Sequence, residues 1–127
     1  MDSKQARNLG RLAELAKMKR EAELAKLAAV SQSRNRLQQA VAVLRNAEAP
    51  LDPDEQANDP AMIKARMAHR RWGEAQQRRL NQQLAMVTAD WLRQKPAAAK
   101  AFGRAAVLDQ LTEQAWAEVK AEKAKPD

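Results

Sequence analysis

The residues of this chain that could take part in binding chemistry are basic side chains on one predicted helix. Lys64, Arg71 and Arg78 are spaced by seven residues. At 100° per residue they form one stripe, which points away from Leu84 and Trp91. Such a stripe keeps a helix soluble, and it can also bind an acidic protein or a nucleic acid.

Trp72 lies beside this stripe, and its predicted environment depends on which face of the helix is buried. If the buried series passes through Ala68 and Trp72, the indole packs on another helix. If the series follows Ile63, Arg70 and Gln77, the indole is exposed and becomes a candidate hot spot for a partner. We favour the first series because it is apolar. The predicted partner interface contains Lys64, Arg71, Trp72, Arg78 and Arg79.

Residue types that catalysis and metal binding require are sparse. The chain has no cysteine and one histidine, His69, which we expect to be an ordinary surface residue. It has no glycine-rich phosphate loop, and its three serines have no base nearby. An EF-hand loop starting at Asp52 needs glycine and glutamate at its sixth and twelfth positions, where Ala57 and Ile63 stand. We therefore expect no enzyme activity, catalytic residue, cofactor or metal site.

Composition favours long helices. Of the 127 residues, 28 are alanine, the best helix former, while Val and Ile total seven and there is no Tyr. Alanine buries little surface, so a narrow apolar seam between helices is expected rather than a large core. The net charge is +7, and the segment 48–60 is acidic between two basic stretches.

The predicted organisation is a single helical domain. One helix spans residues 4–47, an acidic proline-rich turn spans 48–60, a second helix spans 61–95 and a C-terminal helix spans 97–122. Asp59 is a suitable N-cap, and Pro60 follows it at the first helical position. Pro96 either kinks one long helix or begins a new one, which extends past the hairpin or folds back.

Apolar positions define the seams of these helices. In the first helix they are Leu9, Leu12, Ala16, Leu27, Val30, Leu37, Val41 and Leu44, with Arg34 filling one place. In the second they are Ala61, Ala65, Ala68, Trp72, Gln76, Leu80, Leu84, Val87 and Trp91. In the third they are Ala101, Ala105, Leu108, Ala115 and Val119. Trp91 and Trp116 are expected to be packing residues. The fold class is therefore all-α, an elongated antiparallel helical hairpin with coiled-coil packing and a kinked or separate C-terminal helix.

Localisation is predicted to be cytoplasmic. No apolar run approaches the roughly 20 residues of a membrane span. The N-terminal region is charged every two or three residues and so lacks the apolar core of a signal peptide.

The chain resembles the FliJ family, the central-stalk proteins of flagellar type III export. The resemblance lies in three stretches, "LGRLAELAKMKREAELAKLAAV", "LQQAVAVLRNAE" and "RWGEAQQRRLNQQLAMVTADWLRQK". It implies a two-helix stalk in the flagellum or a related type III secretion system. Such a stalk would insert into the export ATPase ring, contact the export gate and serve protein transport.

Two other functions remain open from the sequence. The positive charge allows a basic protein associated with nucleic acid, although no aromatic residues are interleaved to stack on bases. A structural assembly subunit is also possible. The sequence leaves the oligomeric state undetermined.

Overall fold

The chain forms two long helices. A computed structural model describes residues 1–47 and 59–126, with α1 at Ser3–Ala47 and α2 at Pro60–Ala124 and no strand within those ranges. The predicted all-α helical hairpin is confirmed. Most of the predicted turn, residues 48–58, lies outside the described residues. Neither of the two described helices is long and apolar enough to cross a membrane.

Both helices begin at aspartate caps. At α1, the Asp2 carboxylate accepts a bond from the Gln5 amide at 2.8 Å, and the Gln5 side chain accepts one from the Asp2 amide at 3.1 Å. This reciprocal pair satisfies amides that have no partner within the helix. At α2, the Asp59 carboxylate accepts a bond from the Ala61 amide at 3.1 Å. The N-cap predicted at Asp59, with Pro60 following it, is therefore present.

Residues 97–122 continue α2 through Pro96 instead of forming a separate helix. Proline removes one backbone donor from a helix and clashes with the preceding turn. Packing on either side compensates here, because Gln94 is half-buried and Ala98 is buried. The helix therefore persists across a residue that in isolation favours a break.

The described residues form two compact units. The first, here called the terminal unit, combines Met1–Ala29 with Trp91–Asp127. Its two helices pack along small side chains, and its fully or nearly buried apolar residues are Ala6, Ala13, Ala98, Ala101, Ala105, Ala115 and Val119. Leu9 packs at the edge of the cluster formed by Ala6, Ala115 and Val119. The seam predicted for residues 97–122 is confirmed, since Leu108 is also half-buried.

The second, the middle unit, is Val30–Asp90. Its seam uses larger residues, with Val41 buried and Leu37, Leu44, Leu80 and Leu84 half-buried. Arg34 occupies a seam position as predicted, and its Nε donates to the Thr88 hydroxyl at 3.3 Å. This contact fixes which part of α1 lies opposite which part of α2 within the unit.

Several predicted seam positions are wrong. Leu12 is 53% exposed, and Trp116, expected to pack, is 42% exposed. In α2 the predicted positions Ala61, Ala65, Ala68 and Trp72 are all exposed. The cause in α2 is the repeat length. The buried series has a period of seven through Gly73, Leu80 and Val87, whereas the predicted series averages a longer step and drifts around the helix.

Gly103 offers a test of this helical arrangement. It is exposed within α2, and a Cβ added there meets no atom within 4 Å. We predict that Gly103→Ala raises the free energy of unfolding by about 0.5–1 kcal/mol, because alanine loses less backbone entropy in a helix. Urea denaturation followed by circular dichroism measures the change. The control Ala106→Gly, at another exposed position of α2, should lower stability by a similar amount. Equal stabilities of all three proteins would contradict a helix here.

Candidate interaction surface

The five predicted interface residues, Lys64, Arg71, Trp72, Arg78 and Arg79, are all exposed on α2. The seam residues of the same segment, Gly73, Leu80 and Leu84, are buried or half-buried on the opposite side. The structure thus brings the predicted residues together on one side of the helix. Whether a partner binds them stays a prediction.

Trp72 is 55% exposed, so the preferred interpretation that it packs in the seam is wrong. The reason is the phase of the seam. The buried series passes through Gly73, so the adjacent Trp72 lies about 100° around the helix from the seam.

Three parallel rows make up what we call the outer surface of α2, each with a seven-residue spacing along one line of the helix. The first row is cationic and contains Lys64, Arg71 and Arg78. The middle row is small and contains Ala61, Ala68 and Ala75. The third row contains Trp72, Arg79 and Met86. All nine residues are exposed. We call the middle row, whose side chains are short, the alanine track. It lies between the cationic row and the row that mixes apolar and cationic side chains.

The first half of α2, residues 60–89, is strongly basic. Residues 60–89 carry six basic side chains and a single acid, Glu74. Glu74 already pairs with Arg70 at 3.5 Å, beside the outer surface. His69 stacks on Trp72 with ring centroids 5.7 Å apart and planes 21° apart. This contact restricts the orientation of the exposed indole, so less entropy is lost when a partner covers it.

A second polar cluster lies in the seam of the terminal unit. The Glu23 side chain is 8% exposed, and its carboxylate contacts Lys19 Nζ at 2.8 Å and Lys26 Nζ at 3.5 Å. Across the seam, the Gln94 amide donates to the Glu23 carboxylate and to its backbone carbonyl, the latter at 3.2 Å. Both lysines that pair with the carboxylate lie on α1, whereas the hydrogen bonds from Gln94 connect α1 to α2.

These contacts lower the pKa of Glu23 from 4.5 to about 2. The main cause is the hydrogen bond from Lys19, followed by the bond from Gln94, and burial opposes both. The carboxylate borders a shallow groove of about 220 Å³, which Lys100 and Arg104 also line. The cluster is thus a group of ion pairs and hydrogen bonds within a seam that otherwise consists mainly of alanines.

Sequence reasoning missed Glu23 and Gln94 because they are polar residues at seam positions. The signal was nevertheless present. Glu23 follows Leu9 and Ala16 at intervals of seven, and Gln94 follows Leu80 and Val87 at the same interval. A strict seven-residue count, applied without regard to polarity, places both in the seam.

Comparison with protein-family models, curated proteins and solved structures finds no match for the chain. Within residues 1–47 and 59–126, no group of three or more His, Cys, Asp or Glu side chains is arranged to hold a metal ion. Function is therefore inferred from the exposed side chains, among them the outer surface of α2.

The lowered pKa of Glu23 predicts a pH dependence of stability. A carboxylate whose pKa falls on folding stabilises the native state above its ordinary pKa and loses this effect as pH falls through the folded value. We predict that Glu23→Gln is less stable than the native protein at neutral pH. The difference should shrink from about pH 4.5 downward and vanish near pH 2. Thermal unfolding at a series of pH values measures it.

Glu21→Gln is the matched control, because it removes the same charge from an exposed residue two positions away. Its carboxylate is 3.9 Å from Arg20 and 68% exposed, so it should change stability little at any pH. A deficit of Glu23→Gln that stays constant from neutral pH to pH 2 would contradict the assigned ion pairs.

Proposed function

We propose that this chain is a non-catalytic coiled-coil adaptor, acting as the stalk of a type III, flagellar-like protein export ATPase complex. The observation that supports a role in protein binding is that most buried apolar residues are small while many large apolar side chains are exposed. Six of the eight buried hydrophobic residues are alanines. Sixteen large hydrophobic side chains among the described residues remain exposed.

The exposed side chains therefore offer a partner more apolar surface than the alanine seam contains. Burying a fully exposed Leu, Val or Phe side chain is worth about 1.5–3 kcal/mol, and the Leu, Val and Phe side chains here are 42–69% exposed, so covering one gains a part of that value. The described residues contain no third helix to cover these side chains, and most of the stability of a helix comes from packing of its apolar face. A partner protein that covers a few of them stabilises both the complex and the hairpin.

The export ATPase is proposed as that partner because the sequence resembles the FliJ family. A stalk that inserts into a ring needs two antiparallel helices and exposed contacts on their outer sides. The paired helices and exposed apolar residues meet both needs. The protein would then act in the cytoplasm, where the ATPase meets the export gate.

We predict that the tagged chain co-purifies with the export ATPase of the same genome. Two further exposed apolar residues of the terminal unit, Leu15 and Val107, provide the loss-of-binding test. The double variant Leu15→Asp with Val107→Asp should retain its helicity, since both side chains are exposed. It should no longer co-purify with the ATPase. Quantitative pull-down and circular dichroism measure the two properties.

The matched control is Asn8→Asp with Gln114→Asp, because each position lies seven residues from a test position on the same line of its helix and is exposed. It adds the same charge without removing an apolar contact, so binding should persist. Absence of co-purification by the native chain would sink the proposal, as would normal secretion and motility after deletion of the gene.

A second candidate function is association with nucleic acid, favoured by the six basic residues within residues 60–89. If these contact phosphates, the logarithm of the binding constant should fall linearly with the logarithm of salt concentration, with a slope of about −0.9 for each phosphate neutralised on duplex DNA. Fluorescence anisotropy with labelled duplex DNA at several salt concentrations tests this. No binding at low salt would remove this function.

A further inference from the structure

We propose that the outer surface of α2 is a docking site for one acidic, amphipathic helix of a partner protein. The inference rests on the proposed role of the chain in protein binding and names the chemistry of the partner at this surface. It is independent of the apolar residues of the terminal unit.

Charge is the first argument for an acidic partner. The cationic row Lys64, Arg71 and Arg78 lies on one side of the alanine track, and Arg79 lies on the other. The single acid of residues 60–89, Glu74, is already paired with Arg70. The positive charge of the surface is therefore not balanced within this segment, and a helix with acids along both flanks complements it.

Apolar exposure is the second argument. Trp72 is 55% exposed and Met86 is 70% exposed, and both lie in the same row with Arg79 between them. Tryptophan, arginine and methionine are enriched at the centres of protein interfaces. A partner must therefore offer apolar side chains as well as acids.

The alanine track distinguishes a helix from a nucleic acid. Ala61, Ala68 and Ala75 leave a low path between two rows of longer side chains, into which the ridge of another helix fits. A single-stranded nucleic acid is bound by cations along its backbone path and by aromatic side chains that stack on its bases. Here the path itself is methyl groups, and Trp72 is the one aromatic ring besides His69 within residues 60–89. The surface therefore fits a protein helix better.

The test uses a synthetic fluorescent peptide of about four heptads, with a Leu and Ala stripe flanked on both sides by Glu. A second peptide has the same composition in scrambled order, so it keeps the charge and loses the stripe. The full-length chain should bind the first peptide at least tenfold more tightly than the second. Fluorescence anisotropy at physiological salt measures both affinities.

Variants assign the binding to this surface. Trp72→Ala should weaken binding of the amphipathic peptide by about thirtyfold, the loss that marks a hot-spot residue. The double variant Arg71→Glu with Arg78→Glu should abolish it. The matched control Arg36→Glu with Arg45→Glu changes net charge equally at exposed residues of α1 in the same unit. It should bind as the native chain does, and all variants should keep native helicity.

Three results would overturn the inference. The first is equal binding of the two peptides, which shows charge attraction without a docking surface. The second is preferential binding of a labelled single-stranded oligonucleotide with loss in the Arg71→Glu, Arg78→Glu variant, which assigns the surface to nucleic acid. The third is absence of peptide binding at millimolar concentration. Failure of ATPase co-purification concerns the stalk proposal alone, and peptide failure concerns the outer surface of α2 alone.

Discussion

The structure depends on a seam between the helices whose positions repeat every seven residues. In one unit these positions are mainly alanine, and in the other they are larger aliphatic residues. A period of seven keeps the contact line of each helix facing its partner helix over many turns. In the terminal unit the seam contains Ala13, Ala98 and Ala105, so the two backbones can lie close together. Each alanine contributes little transfer free energy, and cohesion comes from many small contacts.

Such a uniform seam specifies its register poorly, because shifting one alanine-lined helix by a turn leaves similar contacts. Polar seam residues supply what alanine lacks. Glu23 contacts Gln94 in the terminal unit, and Arg34 contacts Thr88 in the middle unit. A shift by one turn would break both of these hydrogen bonds between the helices, although Glu23 would keep its ion pairs with Lys19 and Lys26 on its own helix. Buried polar residues serve this registry role in other coiled coils.

The fold class was predictable from the sequence because composition alone excludes most alternatives. Scarce strand formers and abundant alanine leave long helices, and Asp59 followed by Pro60 marks the start of α2. The continuity of α2 through Pro96 was not predictable, because it depends on packing of Gln94 and Ala98 against α1. Local propensity favours a break at that point, and tertiary contact overrides it.

The buried face of the first part of α2 was not predictable for a related reason. Alanine lines both the seam, at Ala98 and Ala101, and the outer surface, at Ala68 and Ala75. Apolar periodicity therefore cannot separate the two faces, and a large residue such as Trp72 biases the choice towards the wrong one. What decides is the phase of the heptad repeat, which places Gly73, Leu80 and Val87 in the seam and leaves Trp72 outside it. The side of α2 that faces away from the seam combines arginine, tryptophan and a row of alanines, and pairing of the two helices does not require that combination.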